Sequence, residues 1–226
     1  EVNILKLAAK SSSNAECRTI SVRGTEDNAF IIQAKFVLIQ STALLVILFF
    51  NEIQILLLDN LTLQPVLNYS LLEYNVLDDG TDPCAHGIAA FDTSILVGGV
   101  DGRIFVFDCF SGAENLNVVF KDILRKHESH IIDIHSDQNH VISCDVSGTI
   151  IVWNYCDGKY SVRVKFDPVP SDPCTCICVL NQFVVAALST GKLRIYGIDK
   201  KRLLSEAIAH AKCITALDVC PLNNLR

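Results

Sequence analysis

The sequence predicts an all-β chain built as a propeller of four-stranded antiparallel blades. Three observations carry that expectation. Three stretches read as pairs of short strands around a glycine turn. Their turn glycines, 102, 148 and 191, stand 46 and 43 residues apart. Each hairpin is flanked by a further strand-like run on either side. One hairpin is a local event, but a hairpin returning every roughly 40–50 residues has the period and content of a propeller blade. A β-sandwich also contains many short strands. It would not repeat one apolar–glycine–apolar–aromatic signature in every unit.

Taken in order, residues 2–7 and 17–24 read as short strands around the polar segment Ser11–Asn14. Residues 30–39 alternate as a strand. The apolar run Ala43–Leu58 reads as two buried strands around an Asn51-Glu52 turn. It is shorter than the roughly 20 residues a helix needs to cross hydrocarbon, and Asn51, Glu52 and Gln54 interrupt it. Gln64–Glu73 completes a first unit, about 30–74. The acidic, turn-rich segment 78–83 is a connection. The second unit, 84–124, holds the hairpin Ser94–Asp108, with Asp101-Gly102 supplying the positive φ angles of a tight turn. The third, 127–167, holds the hairpin 140–154 with Ser147-Gly148 at its turn. The fourth, 173–209, holds the hairpin 183–196 with Thr190-Gly191. A fifth begins at 210 and stops at Arg226, where its own hairpin is due. One propeller domain over 1–226, lacking the rest of its fifth unit and having six or seven blades in the complete protein, is the expectation.

Half of the 226 residues are apolar, mean hydropathy is +0.35, and formal net charge is −6. A mildly acidic chain lacks the basic stripe that phosphate backbones require, so nucleic acid is not the expected partner. The amino-terminal residues show no signal peptide and no segment reads as membrane-inserted. The ten cysteines contain no C-x-x-C pair, which leaves reduced thiols serving as small buried hydrophobes in the cytoplasm. No methionine occurs, even at position 1, which suggests a processed or partial chain and makes the spacings minimum values.

These units resemble the WD-repeat family. The third matches it best, with His127, then Ile131 and Ile134 in the first strand, Ser143 in the second, Gly148 in the turn and Trp153-Asn154 for the Trp-Asp ending. The second keeps Asp101-Gly102 and ends in Phe107-Asp108. The fourth has Gly191, with Tyr196 in the aromatic slot. His210, Ile214 and Leu217 restart the pattern. The resemblance implies a propeller without catalytic role, and a buried His–Ser–Asp–Trp chain in typical repeats. Here Ser147 stands where the turn Asp is expected and Cys84 lies near the His position of the second unit. No unit is therefore expected to have the full set, and packing is expected to outweigh polar networks.

The sequence offers little chemistry. Cys174-Thr-Cys-Ile-Cys178 puts three thiols on one strand face by period-two alternation. With Cys213 or His210 it could make a metal site, but a packed face of small residues is preferred. His127-Glu-Ser-His130 is structural rather than acid–base. No G-x-S-x-G elbow occurs, and the glycines 98–102 lead into a strand, so they cradle no phosphate. No catalytic, cofactor or metal residue is expected. The expected function is a protein–protein interaction scaffold whose partner-facing loops carry His86, Gly87, Ser129, His130, Cys176, Lys212 and Cys213. A propeller enzyme with a central-channel site is the alternative, with Asp133 the only carboxylate on the first strands of the second to fourth units. A nucleic-acid-binding propeller is the weaker alternative.

Overall fold

A computed structural model describes residues 2–6, 16–20, 31–59, 62–73, 86–111, 116–169 and 172–219. The connection 78–83, Cys84 and residues 220–226 lie outside the described residues. Every described regular element is a strand. The chain divides into two compact units, 1–76 and 77–226.

The first unit opens with β1 (Val2–Lys6) and β2 (Glu16–Ile20), an antiparallel pair. Blade one follows as β3 (Ile31–Ile39), β4 (Thr42–Phe49), β5 (Glu52–Asp59) and β6 (Thr62–Ser70), each hydrogen-bonded to the next. The β4–β5 hairpin is the apolar run of the sequence, turning at residues 50–51. Leu44 to Phe49 are all buried, so both faces of β4 are covered. Glu52 and Gln54 point to the same side of β5, and the Gln54 amide donates to the Glu52 carboxylate at 2.7 Å, so this polar pair is buried together.

The second unit carries three more sheets of the same up-and-down order. Blade two is β7 (Ile88–Phe91), β8 (Ser94–Gly98), β9 (Arg103–Ser111) and β10 (Leu116–Arg125). Blade three is β11 (Ile131–Ser136), β12 (Val141–Asp145), β13 (Ile150–Cys156) and β14 (Lys159–Phe166). Blade four is β15 (Cys174–Leu180), β16 (Phe183–Leu188), β17 (Lys192–Gly197) and β18 (Arg202–Ile208). Strands β11 and β15 contact each other, as do β7 and β11. Two apolar layers fill the joints. Ala89, Leu96, Ile104 and Val106 of blade two meet Ile131, Ile134, Ile151 and Trp153 of blade three. Ile142, Ile150, Val152, Val164 and Phe166 of blade three meet Ile177, Val179, Val184, Ala186 and Tyr196 of blade four. Period-two alternation gives each blade one face for each joint.

Every fourth strand carries one extra residue. The register of β6, β10, β14 and β18 against the preceding strand slips by one at Val66, Lys121, Arg163 and Leu204 respectively. A β-bulge of this kind bends the strand and re-aims the extra side chain.

Candidate interaction surface

In an up-and-down sheet, the loop leading into each blade and the turn between its second and third strands share one end. These loops form one rim of the second unit, and the remaining turns form the other. The first rim is held by backbone hydrogen bonds that cross between blades. His86 N–H donates to the Ile131 carbonyl at 2.9 Å and Ile131 N–H to Gly99 at 3.2 Å, while Val146 N–H donates to His130 at 2.9 Å within blade three. Asp101 N–H donates to His130 Nδ1 at 3.3 Å, which puts the ring proton of a neutral His130 on Nε2. Beyond blade four, Ala209 and His210 N–H both donate to Gly191 at 3.0 Å. Glycine is required at some of these turns. A Cβ on Gly102, at φ +70°, would lie 2.1 Å from the His127 carbonyl oxygen, and one on Gly191 would lie equally close to that of His210. At Gly148 the nearest atom to a Cβ is a Pro168 side-chain carbon at 3.7 Å, so only its φ of +91° favours glycine there.

Beneath this rim, blade three holds a fully buried polar chain. Trp153 Nε1 donates to Ser143 Oγ at 2.8 Å. Ser143 Oγ lies 2.7 Å from His127 Nε2, and His127 Nδ1 lies 2.8 Å from Asp145 Oδ2. An indole can only donate and a carboxylate only accept. His127 Nδ1 therefore carries a proton toward Asp145, and the chain links Trp153, Ser143, His127 and Asp145 without a break. The other Asp145 oxygen accepts from the Ser147 hydroxyl and from Thr149 N–H. Burial pushes the Asp145 carboxyl up, but the hydrogen bonds from His127 and Ser147 outweigh it and hold the group below its ordinary value. This corrects the expectation that Ser147 takes the place of the Asp and that no unit is complete. Asp145, two residues earlier, fills the role. The signal was available, since Ser143 and Asp145 are two apart on β12 and so share one face.

The neighbouring blades fill the equivalent volume differently. In blade four the matching positions are Tyr196, Ala186 and Leu188. Arg194, 5% exposed, stands where blade three has Ile151. Arg194 Nε donates to Glu206 at 2.7 Å, its Nη2 lies 3.7 Å from Asp172, and Asp172 accepts from Thr190 Oγ1 at 3.0 and 2.9 Å. In blade two Phe107 is buried, while Asp108 accepts from Ser94 Oγ at 2.9 Å and pairs with Lys121 at 2.6 Å.

The cysteine reading needs a second correction. β15 is bulged at Thr175, with Cys174 opposite Leu188 and Cys176 opposite Ala187. Alternation breaks there, so Cys174 shares the blade-three joint with Ile177 and Val179, while Cys176 and Cys178 face the other way. The three thiols do not share a face. Burial pushes the Cys176 and Cys178 thiols up to about 11 and Cys109 up to about 12. Among the described residues no group of three or more His, Cys, Asp or Glu side chains is placed to hold a metal ion. Asp133 accepts a hydrogen bond from Ile177 N–H at 2.9 Å, and His135 Nδ1 accepts from Val179 N–H at 3.3 Å. These side chains cover backbone donors on the next first strand, which would otherwise be an open sheet edge.

Of the loop residues singled out, Lys212 and Cys213 are exposed, His86, Ser129 and His130 are half-buried, and Gly87 and Cys176 are buried. Burial lowers the His86 imidazole, with Asp133 pulling the other way. Among the signature residues, His127, Ser143, Trp153, Phe107 and Tyr196 are buried. Asp101 is exposed in its turn and bridges to Arg103 at 3.3 Å. His210 is also exposed, and its Nδ1 accepts from Lys212 N–H at 3.2 Å.

Comparison with known proteins agrees with this architecture. The family model described as WDR54 matches residues 8–223. The chain belongs to the WDR54 family. Mouse WD repeat-containing protein 54 is 31% identical over 144 residues, 61% of this chain and 42% of that protein. The human protein of the same name is 28% identical over 163 residues, covering 67% and 48% respectively. The chain thus spans less than half the length of the curated relatives it matches. Among solved structures, Saccharomyces cerevisiae Sqt1 superimposes with a TM-score of 0.62 at 16% identity, over 86% of this chain and 53% of that one. BBS1N, solved in complex with ARL6DN, gives 0.53 at 18% identity, over 81% and 56%. At such identities the structural likeness shows the fold, a WD-repeat β-propeller of four-stranded blades.

Proposed function

We propose that the chain is a non-catalytic scaffold that presents the first rim of blades two to four to partner proteins. The observation that carries this reading is the set of blade-crossing hydrogen bonds along that rim, from His86 to Ile131, Ile131 to Gly99 and Asp101 to His130. Loops fixed by their neighbours keep their shape without paying ordering entropy when a partner docks. His86, Ser129, His130, Lys212 and Cys213 are the side chains from this rim offered to the partner. The half-buried and exposed members carry a defined donor at His130 Nε2 and a cation at Lys212. BBS1N, a structural neighbour, is itself seen with a protein partner, and the family membership supports the same class of role. A cytoplasmic setting fits the thiols, since the seven described cysteines whose side chains are placed are all free and five of them are buried.

The test is affinity capture from the native cell with the full-length protein, followed by the double variant Ser129→Arg/His130→Glu. Selective loss of a reproducible partner, with unchanged thermal unfolding, is the expected result. Retention of every partner by the rim variant, with losses only from variants on the opposite rim, would sink the assignment.

A further inference from the structure

The extra residue in each fourth strand falls at the same place in all four blades, but its chemistry differs. It is Lys121 in blade two and Arg163 in blade three, against Leu204 in blade four and Val66 in blade one. We infer that the bulge residue is an inter-blade strap wherever it is a cation, fastening blade two to blade three and blade three to blade four on the rim opposite the proposed docking loops.

Both cations bind in the same manner, with one contact inside their own blade and one in the next. Lys121 Nζ lies 2.6 Å from Asp108 of its own blade and 5.8 Å from the centre of the Tyr155 ring of blade three. Gly158 of blade three lies beside it, and a Cβ there would meet the ammonium at an ordinary contact distance of 3.6 Å. Tyr155 is itself fixed by Tyr160, with ring centres 4.7 Å apart, and by the edge of Phe91 from blade two at 5.9 Å. Arg163 Nη1 lies 3.1 Å from His140 Nε2 within blade three, and Nη2 donates to Asp199 in the third-to-fourth-strand turn of blade four at 2.8 Å. A guanidinium only donates, so His140 Nε2 is the acceptor and a neutral ring carries its proton on Nδ1, the atom 3.4 Å from Asp137. A regular strand would alternate these side chains between the two faces. The inserted residue is the one freed to point sideways, and a long cationic stem is what can span a joint. Leu204 instead packs back on its own sheet, where a Cβ on Gly197 would meet it at 3.0 Å. Blade four therefore offers no charged strap at this position.

The test is hydrogen exchange, read by mass spectrometry on the full-length protein. In Arg163→Met, amides of the 198–201 turn are expected to exchange about two- to fivefold faster, the size of a partly exposed ion pair. In Lys121→Met the same change is expected at 155–159 and not at 198–201. Lys121→Arg should restore protection, and Leu204→Met should leave the turns beyond its own sheet unaltered. An Arg163→Met/Asp199→Ala cycle supplies a second readout, in which the double variant should lose no more than Arg163→Met alone. Unchanged protection in the receiving turns, an equal rise in every blade, or strict additivity in the cycle would overturn the strap.

Discussion

Blades three and four hold equivalent places in one repeat, yet they close their joints to the preceding blade with different chemistry. Blade three uses a fully buried hydrogen-bonded relay from Trp153 to Asp145. Blade four replaces Ser143 and Asp145 by Ala186 and Leu188, and puts Arg194 between Asp172 and Glu206. Both solutions fill the same volume beneath the same rim and satisfy the groups they bury. The difference teaches that the repeat fixes where side chains meet and how much space they share. It leaves open whether that space is closed by hydrogen bonds, ion pairs or, as around Phe107, apolar packing. The relay is more demanding, because each member is satisfied only by the next, and a partly satisfied buried network is worse than none.

That contrast is broken most directly at His127. Replacing it with alanine leaves the Asp145 carboxylate buried without its ring partner, a loss of about 3–5 kcal/mol for a buried pair cut on one side. Urea unfolding should show that loss at neutral pH. A Trp153→Phe change removes only the indole donor and should cost about 1–2 kcal/mol. If His127→Ala proved no worse than Trp153→Phe, the relay would count as packing and the two blades would not differ in kind.

How far the sequence revealed this difference depended on the range of the interaction. Hairpins 94–108, 140–154 and 183–196 were legible because turn glycines and alternating strands are local signals. The aromatic slots Phe107, Trp153 and Tyr196 followed from the same spacing. Asp145 was missed because counting from the turn glycine picks out Ser147, although Ser143 and Asp145 share one face of β12. The bulge at Thr175 was hidden. One inserted residue reverses the faces of Cys176 and Cys178, and nothing in Cys-Thr-Cys-Ile-Cys announces it. Arg194 and Asp172 were missed as a pair because the loop before β15 meets β17 only in the folded blade. The loop residues fared unevenly for the same reason. Lys212 stands in a turn, but Cys176 is already inside β15 and is covered by what packs against it.

The turn glycines sharpen the comparison at the next level. Gly102→Ala forces a Cβ against the His127 carbonyl and should cost about 2–4 kcal/mol, combining overpacking with a strained left-handed φ. Gly148→Ala meets only ordinary van der Waals contacts and should cost about 1–2 kcal/mol from its φ. Thermal unfolding of the two variants should separate them by several degrees. Equal shifts would mean that the rim contact at His127 does not constrain the turn.

Acid should distinguish the blades as well. Asp145 is held below its ordinary value in the folded chain, so its contribution is fully present above the unfolded carboxyl range. That contribution is lost as pH falls through the folded value. Exchange protection of 145–149, corrected for the intrinsic rate, should therefore hold from about pH 7 to 5 and decline below about pH 4, with the decline reduced in Asp145→Asn. A decline of equal size in that variant would assign the acid sensitivity to other carboxyls.

The smallest expected effect lies in blade four. Arg194→Met removes the centre of its ion-pair cluster but keeps the aliphatic volume, and Asp172 retains the Thr190 hydroxyl. Glu206, a third exposed at its side chain, returns to water and keeps Lys192 at 3.1 Å. Nothing charged is stranded in the way that Asp145 is stranded by loss of His127, so the loss should be less than half that of His127→Ala. It should also shrink between 0.1 and 1 M NaCl, because salt screens the exposed half of the cluster, while the buried relay of blade three should not respond. Parallel urea titrations at the two salt concentrations read both blades. A salt-independent loss in Arg194→Met would place the value of that arginine in its packing against Tyr196, and blade four would then be closed by volume rather than by charge.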